Sequence, residues 1–397
     1  MAPVRGSNSD AGIDAGMRRH GGLDLLRFAA AFAVLLYHFC FRGSAAGGPL
    51  PDDAKLGPET VMQFSYFGLH VFFMISGFVI LWTAQNRSWF SFSLARLVRL
   101  WPGYIACVLI TAAFALAFAN PAFPVTLPMT AANLTFFAPA FGQPFMDGVY
   151  WTIVLEIIFY FWVMVALFAG ILPRYVVGFC AVWLSVIVIN EFWLLNETLR
   201  ISLITRYGVW FIIGMLAYDL RKRDLRLVSA LASALAPALT LGVAIVLSLD
   251  MAVIEHFELT TMFGYAFTPA LAVTANIIAL SVFGATVVFG ERLGAHRLVI
   301  VLGAISYPLY LLHQHIGYLV MAALIPVVGV TAALVLATGL VLGLAWLVWI
   351  AVERPVQAFV HPGMRHLIQA FDSVAARSVR SEGLKDVRLK SSLKPGH

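Results

Sequence analysis

Charge is what this sequence has least of. Only 12% of its 397 residues are Asp, Glu, Lys or Arg, about half the roughly 25% usual in soluble domains. With 61% hydrophobic residues, this excludes a soluble globular protein and indicates an integral membrane one. Cysteine is scarce as well. Cys40, Cys107 and Cys180 all fall inside apolar runs, which argues against a disulfide framework and suits thiols packed as small hydrophobes. The sequence shows no Gly-rich phosphate loop, no metal-ligand spacing and no serine nucleophile elbow, the patterns that would signal nucleotide, metal or serine-hydrolase chemistry. It shows no internal repeat, direct or inverted, and its apolar runs are continuous rather than alternating. Helices are therefore expected to cross the bilayer, not a barrel.

What the chain has in plenty is spanning segments. Ten apolar stretches are long enough to cross, at 23–41, 64–84, 101–119, 149–170, 175–194, 204–220, 227–249, 268–290, 298–322 and 327–352, against a working length of ~17–25 residues. The expected fold is an all-α integral membrane bundle of about ten transmembrane helices. Positive charge alternates with each crossing. Arg18 and Arg19, Arg96 and Arg99, Arg174, Arg221 to Arg226 and the C-terminal basic residues flank one side, and only Arg42, Lys55, Arg200 and Arg206 the other. By the positive-inside rule both termini are cytoplasmic. The net charge of +6 is thus a topology signal, and nucleic acid is not an expected partner. Arg18-Arg19, an apolar run and Gly43-Ser44-Ala45-Ala46 resemble a cleavable leader, but the run is long enough to span and Arg27 interrupts it. Residues 1–22 are then a cytoplasmic segment, 23–355 the transmembrane domain and 356–397 a basic cytoplasmic tail lying near the inner leaflet or disordered. The expected location is the inner (cytoplasmic) membrane, as a multi-pass protein.

Within LRFAAAFAVLLYHF, Arg27 and His38 are eleven positions apart. At about 100° per residue they share one helix face, roughly 16 Å apart along the axis. An arginine at the centre of a span costs roughly 2.5–3.5 kcal/mol, so such residues ask for a reason. With the topology above, His38, His70, Glu156 and His313 lie toward the outer side, with Trp151 at the outer surface and Ser76 near the middle, while Arg27, Arg96, Arg99 and Tyr104 lie toward the cytoplasm. Imidazole beside carboxylate makes a general base, and grouped arginines suit phosphate. The pattern describes a site that takes an anionic cytosolic donor and activates a nucleophile nearer the outside. Plainer readings exist for each residue. Arg27 can snorkel to inner headgroups; Arg96 and Arg99 stand where positive-inside charges belong; His70 can be a packing residue and Glu156 half of a structural pair. His313 and His315 diverge by ~200° on a helix and cannot chelate one metal together; no metal site is expected.

The motifs, taken in order, resemble the acyltransferase-3 family of membrane acyltransferases. They are Arg27-x10-His38, FGLHVFFMISGF, ARLVRLWPGY, WTIVLEIIFY, RYGVWFIIGM, SYPLYLLHQ and Val352-Glu353-Arg354-Pro355, covering residues 20 to about 356. The resemblance implies about ten helices and transfer of an acyl group, commonly acetyl, from cytosolic acyl-CoA to a hydroxyl of a cell-surface or exported glycan or its lipid-linked precursor. It ties Arg27 and His38 to activity and places Arg96 and Arg99 toward the donor, with acyl-CoA a substrate rather than a resident cofactor and membrane lipids as surroundings. Two departures stand out. The long C-terminal extension of members with a fused esterase-like domain is absent, as in a stand-alone member, and His70 occupies a position where an acidic residue is also common. In the expected mechanism His38, oriented by Glu156 or a similar partner, deprotonates the acceptor hydroxyl as it attacks the thioester; Tyr104 accompanies the donor arginines, and His70, Ser76, Trp151 and His313 line the site. Transient acylation of His38 stays open. A proton-coupled secondary transporter or flippase of a sugar lipid is the alternative, since intramembrane His and Glu also build proton relays.

Overall fold

The computed structural model describes residues 20–85, 87–223, 228–293 and 296–360, together with 363, 367 and 368. Most of the expected N-terminal segment and of the expected basic tail lies outside the described residues. Among those described, all regular structure is helical. The main helices are α1 (Gly21–Cys40), α2 (Gly68–Ala84), α3 (Trp89–Phe118), α4 (Tyr150–Phe168), α5 (Val176–Ile189), α6 (Gly208–Arg221), α7 (Val228–Phe263), α8 (Pro269–Phe289) and α9 (Arg297–Val348).

Eight helical segments among the described residues are long and apolar enough to cross a membrane. They account for the ten stretches with two adjustments. The last two stretches are a single element, α9, broken at Gly329, where φ is 76° and ψ 167°; glycine takes this conformation without a β-carbon clash. The stretch at 204–220 is α6, only 14 residues long. At 1.5 Å per residue it measures about 21 Å, short of a hydrocarbon core of about 30 Å. Every residue from Gly208 to Leu216 is buried, so its hydrophobicity serves protein neighbours rather than lipid.

Glycines let α6 into the core. A β-carbon at Gly77 of α2 would overlap the Phe211 carbonyl, and one at Gly214 of α6 would overlap the Met74 carbonyl. The two backbones therefore touch through reciprocal glycines, the close approach that small residues permit between membrane helices. Polar groups tie α6 to the helices behind it. Trp210 donates through Nε1 to Asn276 on α8 at 3.1 Å, and the Asn276 amide donates to Ser248 on α7 at 2.9 Å. Such buried chains are favourable because every member finds a partner. On the opposite flank, α1 packs against α9 where Gly317 makes room for the Phe39 ring.

Candidate active site

The two ends of α1 anchor two polar clusters. At the first, Arg27 lies 3.6 Å from Asp24, one turn earlier. Arg96 on α3 donates to the Thr83 hydroxyl of α2 at 3.2 Å, and that hydroxyl donates to the Val79 carbonyl at 2.9 Å. Glu156 on α4 accepts from Ser76 at 3.1 Å and from the Tyr160 hydroxyl one turn on. Arg27 senses the charges of Arg99, Asp24 and Glu156, and Arg96 those of Arg99, Arg87 and Glu156. Arg27, Arg96 and Arg99 thus gather with Asp24 and Glu156, and Glu353 faces Arg99 as well; clustered guanidinium donors of this kind suit a polyanion. Arg99 is exposed. Tyr104, expected beside these arginines, is buried further along α3, stacked on Phe136 with ring centroids 4.2 Å apart.

Glu156 therefore sits with the arginines, and the expectation that it orients His38 is corrected. Depth counted from helix starts assumes that every helix begins at the surface. The start of α2 instead lies against the middle of α1, where a β-carbon on Gly68 would overlap the Ala30 carbonyl. Ser76, eight residues on, is then about 12 Å deeper, past the level of Arg27, which is only about 4.5 Å from Ala30 along α1, and it holds Glu156 at that end.

At the second end, His38 Nδ1 is 2.9 Å from the Tyr318 hydroxyl, and Nε2 hydrogen-bonds to none of the described residues. The His313 ring lies 5.0 Å from that of His38, centroid to centroid. His313 Nδ1 is 2.7 Å from the Tyr310 carbonyl oxygen. A carbonyl only accepts, so Nδ1 carries the hydrogen and Nε2 of the neutral ring the lone pair. That Nε2 is buried without a hydrogen-bond partner. His315 turns elsewhere, its ring 4.5 Å from that of Phe123. Its backbone N–H donates to Asp147 at 2.9 Å, and Val149 N–H donates to the other Asp147 oxygen at 3.1 Å. His313, Arg42 and His315 act electrostatically on His38, and its hydrogen-bond partner is the Tyr318 hydroxyl rather than a carboxylate.

The family described as an acyltransferase domain matches this chain over residues 20–350. The chain belongs to the acyltransferase-3 family. Comparison with curated proteins and with solved structures returned no match. Family membership makes acyl transfer between a donor and an acceptor the expected class of chemistry, and in this acyltransferase-3 protein both clusters on α1 fall within the matched stretch.

His70 and Trp151, also expected in the site of the acyltransferase-3 protein, pack against residues other than His38. His70 is fully buried and stacks on Trp210, with centroids 3.8 Å apart and planes within 3°. Its Nε2 is 2.7 Å from Glu255 of α7, an ion-pair distance, although the direction is wrong for a hydrogen bond. Trp151 packs on Tyr207 at 5.3 Å. Three residues were not foreseen. Tyr318 stands one helical turn past the histidines already noted in SYPLYLLHQHIG. Asp147 is the sole acidic residue in the loop 120–148, a signal that was available. Glu255 was missed because the expected span ended at 249, whereas α7 continues to Phe263.

Proposed function

We propose that this acyltransferase-3 protein moves an acyl group, acetyl in the simplest case, from cytosolic acyl-CoA to a hydroxyl of a cell-surface or exported glycan or its lipid-linked precursor. It works in the inner membrane with its arginine-rich end toward the cytoplasm, in line with the positive-inside rule. The observation that carries this reading is the arrangement on α1. His38 is hydrogen-bonded through Nδ1 to Tyr318, and Arg27, eleven residues earlier, belongs to the arginine group. At 1.5 Å per residue the two are about 16 Å apart along the axis, an interval that a phosphate-headed donor with a long arm spans from one end to the other.

In the proposed reaction Arg27, Arg96 and Arg99 hold donor phosphates as charge-assisted hydrogen-bond donors. His38 donates its Nδ1 hydrogen to the Tyr318 oxygen, which leaves the Nε2 lone pair as general base. Nε2 takes the acceptor hydroxyl proton as that oxygen bonds to the thioester carbonyl carbon. The carbon–sulfur bond then breaks, and the departing sulfur takes the proton from His38, which restores the neutral imidazole. Transfer is direct, with no acyl-enzyme. Glu156 acts at the donor end, fixing the arginine group through Ser76 and Tyr160.

The test follows label from radiolabelled acetyl-CoA into glycan in membranes of cells that make the native acceptor. Wild type, His38→Ala and Arg27→Ala are compared at matched protein levels. Label with wild type and loss with both variants supports the reading. Equal label in all three overturns the mechanism. No label with any acyl-CoA chain length, alongside movement of a sugar lipid across the membrane, would favour transport instead.

A further inference from the structure

Arg42 opens the three-residue 3-10 turn Arg42–Ser44 that follows α1. The turn packs against the hydrogen-bond partner of His38: a β-carbon on Gly43 would lie 2.8 Å from the Tyr318 ring and 3.0 Å from the His38 carbonyl oxygen. Its guanidinium carbon lies 3.7 Å from the centroid of the Phe263 ring. Stacking of this kind holds the guanidinium plane while leaving its in-plane N–H donors available. Those donors are unspent. Nη1 is buried with no hydrogen-bond partner, as is the Ser44 hydroxyl in the same turn, and Arg42 forms no ion pair with a carboxylate among the described residues. A buried charged donor left without an acceptor is among the costlier features of a folded protein, and each such group asks for a ligand or a reason.

The surroundings single out an anion. Arg42 acts electrostatically on His38 and on the hydroxyls of Tyr37, Tyr265 and Tyr318. The carboxylates in this part of the bundle are engaged elsewhere. Glu255 is paired with His70 and accepts from Tyr207 at 3.2 Å, and Asp147 accepts two backbone N–H groups.

We propose that Arg42 forms an anion subsite next to His38, so that the acceptor is a negatively charged sugar such as a uronic acid rather than a neutral one. This rests on the acyl-transfer reading of His38 and names the substrate class of that same site.

Binding is the decisive readout, because it does not depend on turnover. Purified full-length protein is titrated with methyl β-D-glucuronoside and with methyl β-D-glucoside, which differ in one carboxylate, and thermal stabilisation gives each affinity. The expected result is a preference of roughly tenfold or more for the glucuronoside in wild type, equivalent to about 1.4 kcal/mol. Arg42→Gln abolishes the preference while leaving glucoside binding intact, and Arg42→Lys keeps part of it. Equal affinities in wild type, or a preference that survives in Arg42→Gln, overturn the subsite. Should Arg42→Gln fail to fold, Arg42→Lys decides: an undiminished preference overturns it and a reduced one supports it. Selective binding without acyl transfer in wild type would overturn the transfer reading and leave the subsite standing.

Discussion

Tyr318→Phe removes one hydroxyl and little else. The Tyr318 side chain is 2% exposed, and its ring lies about 6.5 Å from Phe39 and 6.4 Å from Phe123, centroid to centroid. Phenylalanine keeps those contacts and opens no cavity. What is lost is the 2.9 Å hydrogen bond to His38 Nδ1, together with the hydrogen bond that the same hydroxyl makes with Gln314. A neutral hydrogen bond nets about 0.5–1.5 kcal/mol, and 1.36 kcal/mol is about tenfold in rate. If that bond sets the tautomer and angle of the base, kcat falls by about two- to thirteenfold. Removing the base itself, as in His38→Ala, costs about 10²–10⁴. Donor KM stays unchanged in Tyr318→Phe, because the arginine group is about three helical turns away along α1. The assay is the initial rate of label transfer at saturating acceptor with donor varied, at matched protein levels. A Tyr318→Phe protein with wild-type kcat, or with its whole defect in donor KM, would falsify the assignment of Tyr318 as the residue that positions His38.

Other perturbations probe the remaining parts. Glu156→Gln keeps the shape but removes the charge beside Arg27 and Arg96; donor KM should rise several-fold while the pH profile of kcat stays in place, and a shifted pH profile would return Glu156 to the base. Gly214→Ala forces a β-carbon onto the Met74 carbonyl; overpacking of this sort costs about 1–3 kcal/mol, so the detergent-solubilised protein should melt earlier, and an unchanged melting temperature would contradict the close crossing of α2 and α6. His20, just before α1, is held below its ordinary pKa of 6.5 by burial and then by Arg221, whose guanidinium donates to its Nε2 at 2.9 Å. Below pH 6.5 the unfolded chain takes up a proton that the folded chain resists, so stability present above that pH is lost as pH falls. Melting temperatures at pH 8 and pH 5.5 should differ more in wild type than in His20→Gln, and equal differences would count against this linkage.

The amino-acid sequence by itself determined that this is a helical membrane protein, that Arg27 and His38 share a helix face, and that its ordered motifs resemble one acyltransferase family. These are one-dimensional properties. A long apolar run must satisfy its backbone internally in lipid and so becomes a helix, and the helical repeat then fixes which residues share a face. The tertiary structure decided which side chains meet. It turned the stretch at 204–220 into a short buried helix, placed Glu156 with Ser76 and Tyr160, paired His70 with Glu255, and brought Tyr318 to His38. The reason is lateral. Neighbours across helices depend on where backbones can approach, which here is set by Gly77 against Gly214, Gly68 against Ala30 and Gly317 beneath Phe39. No count of residues along a single span contains that information.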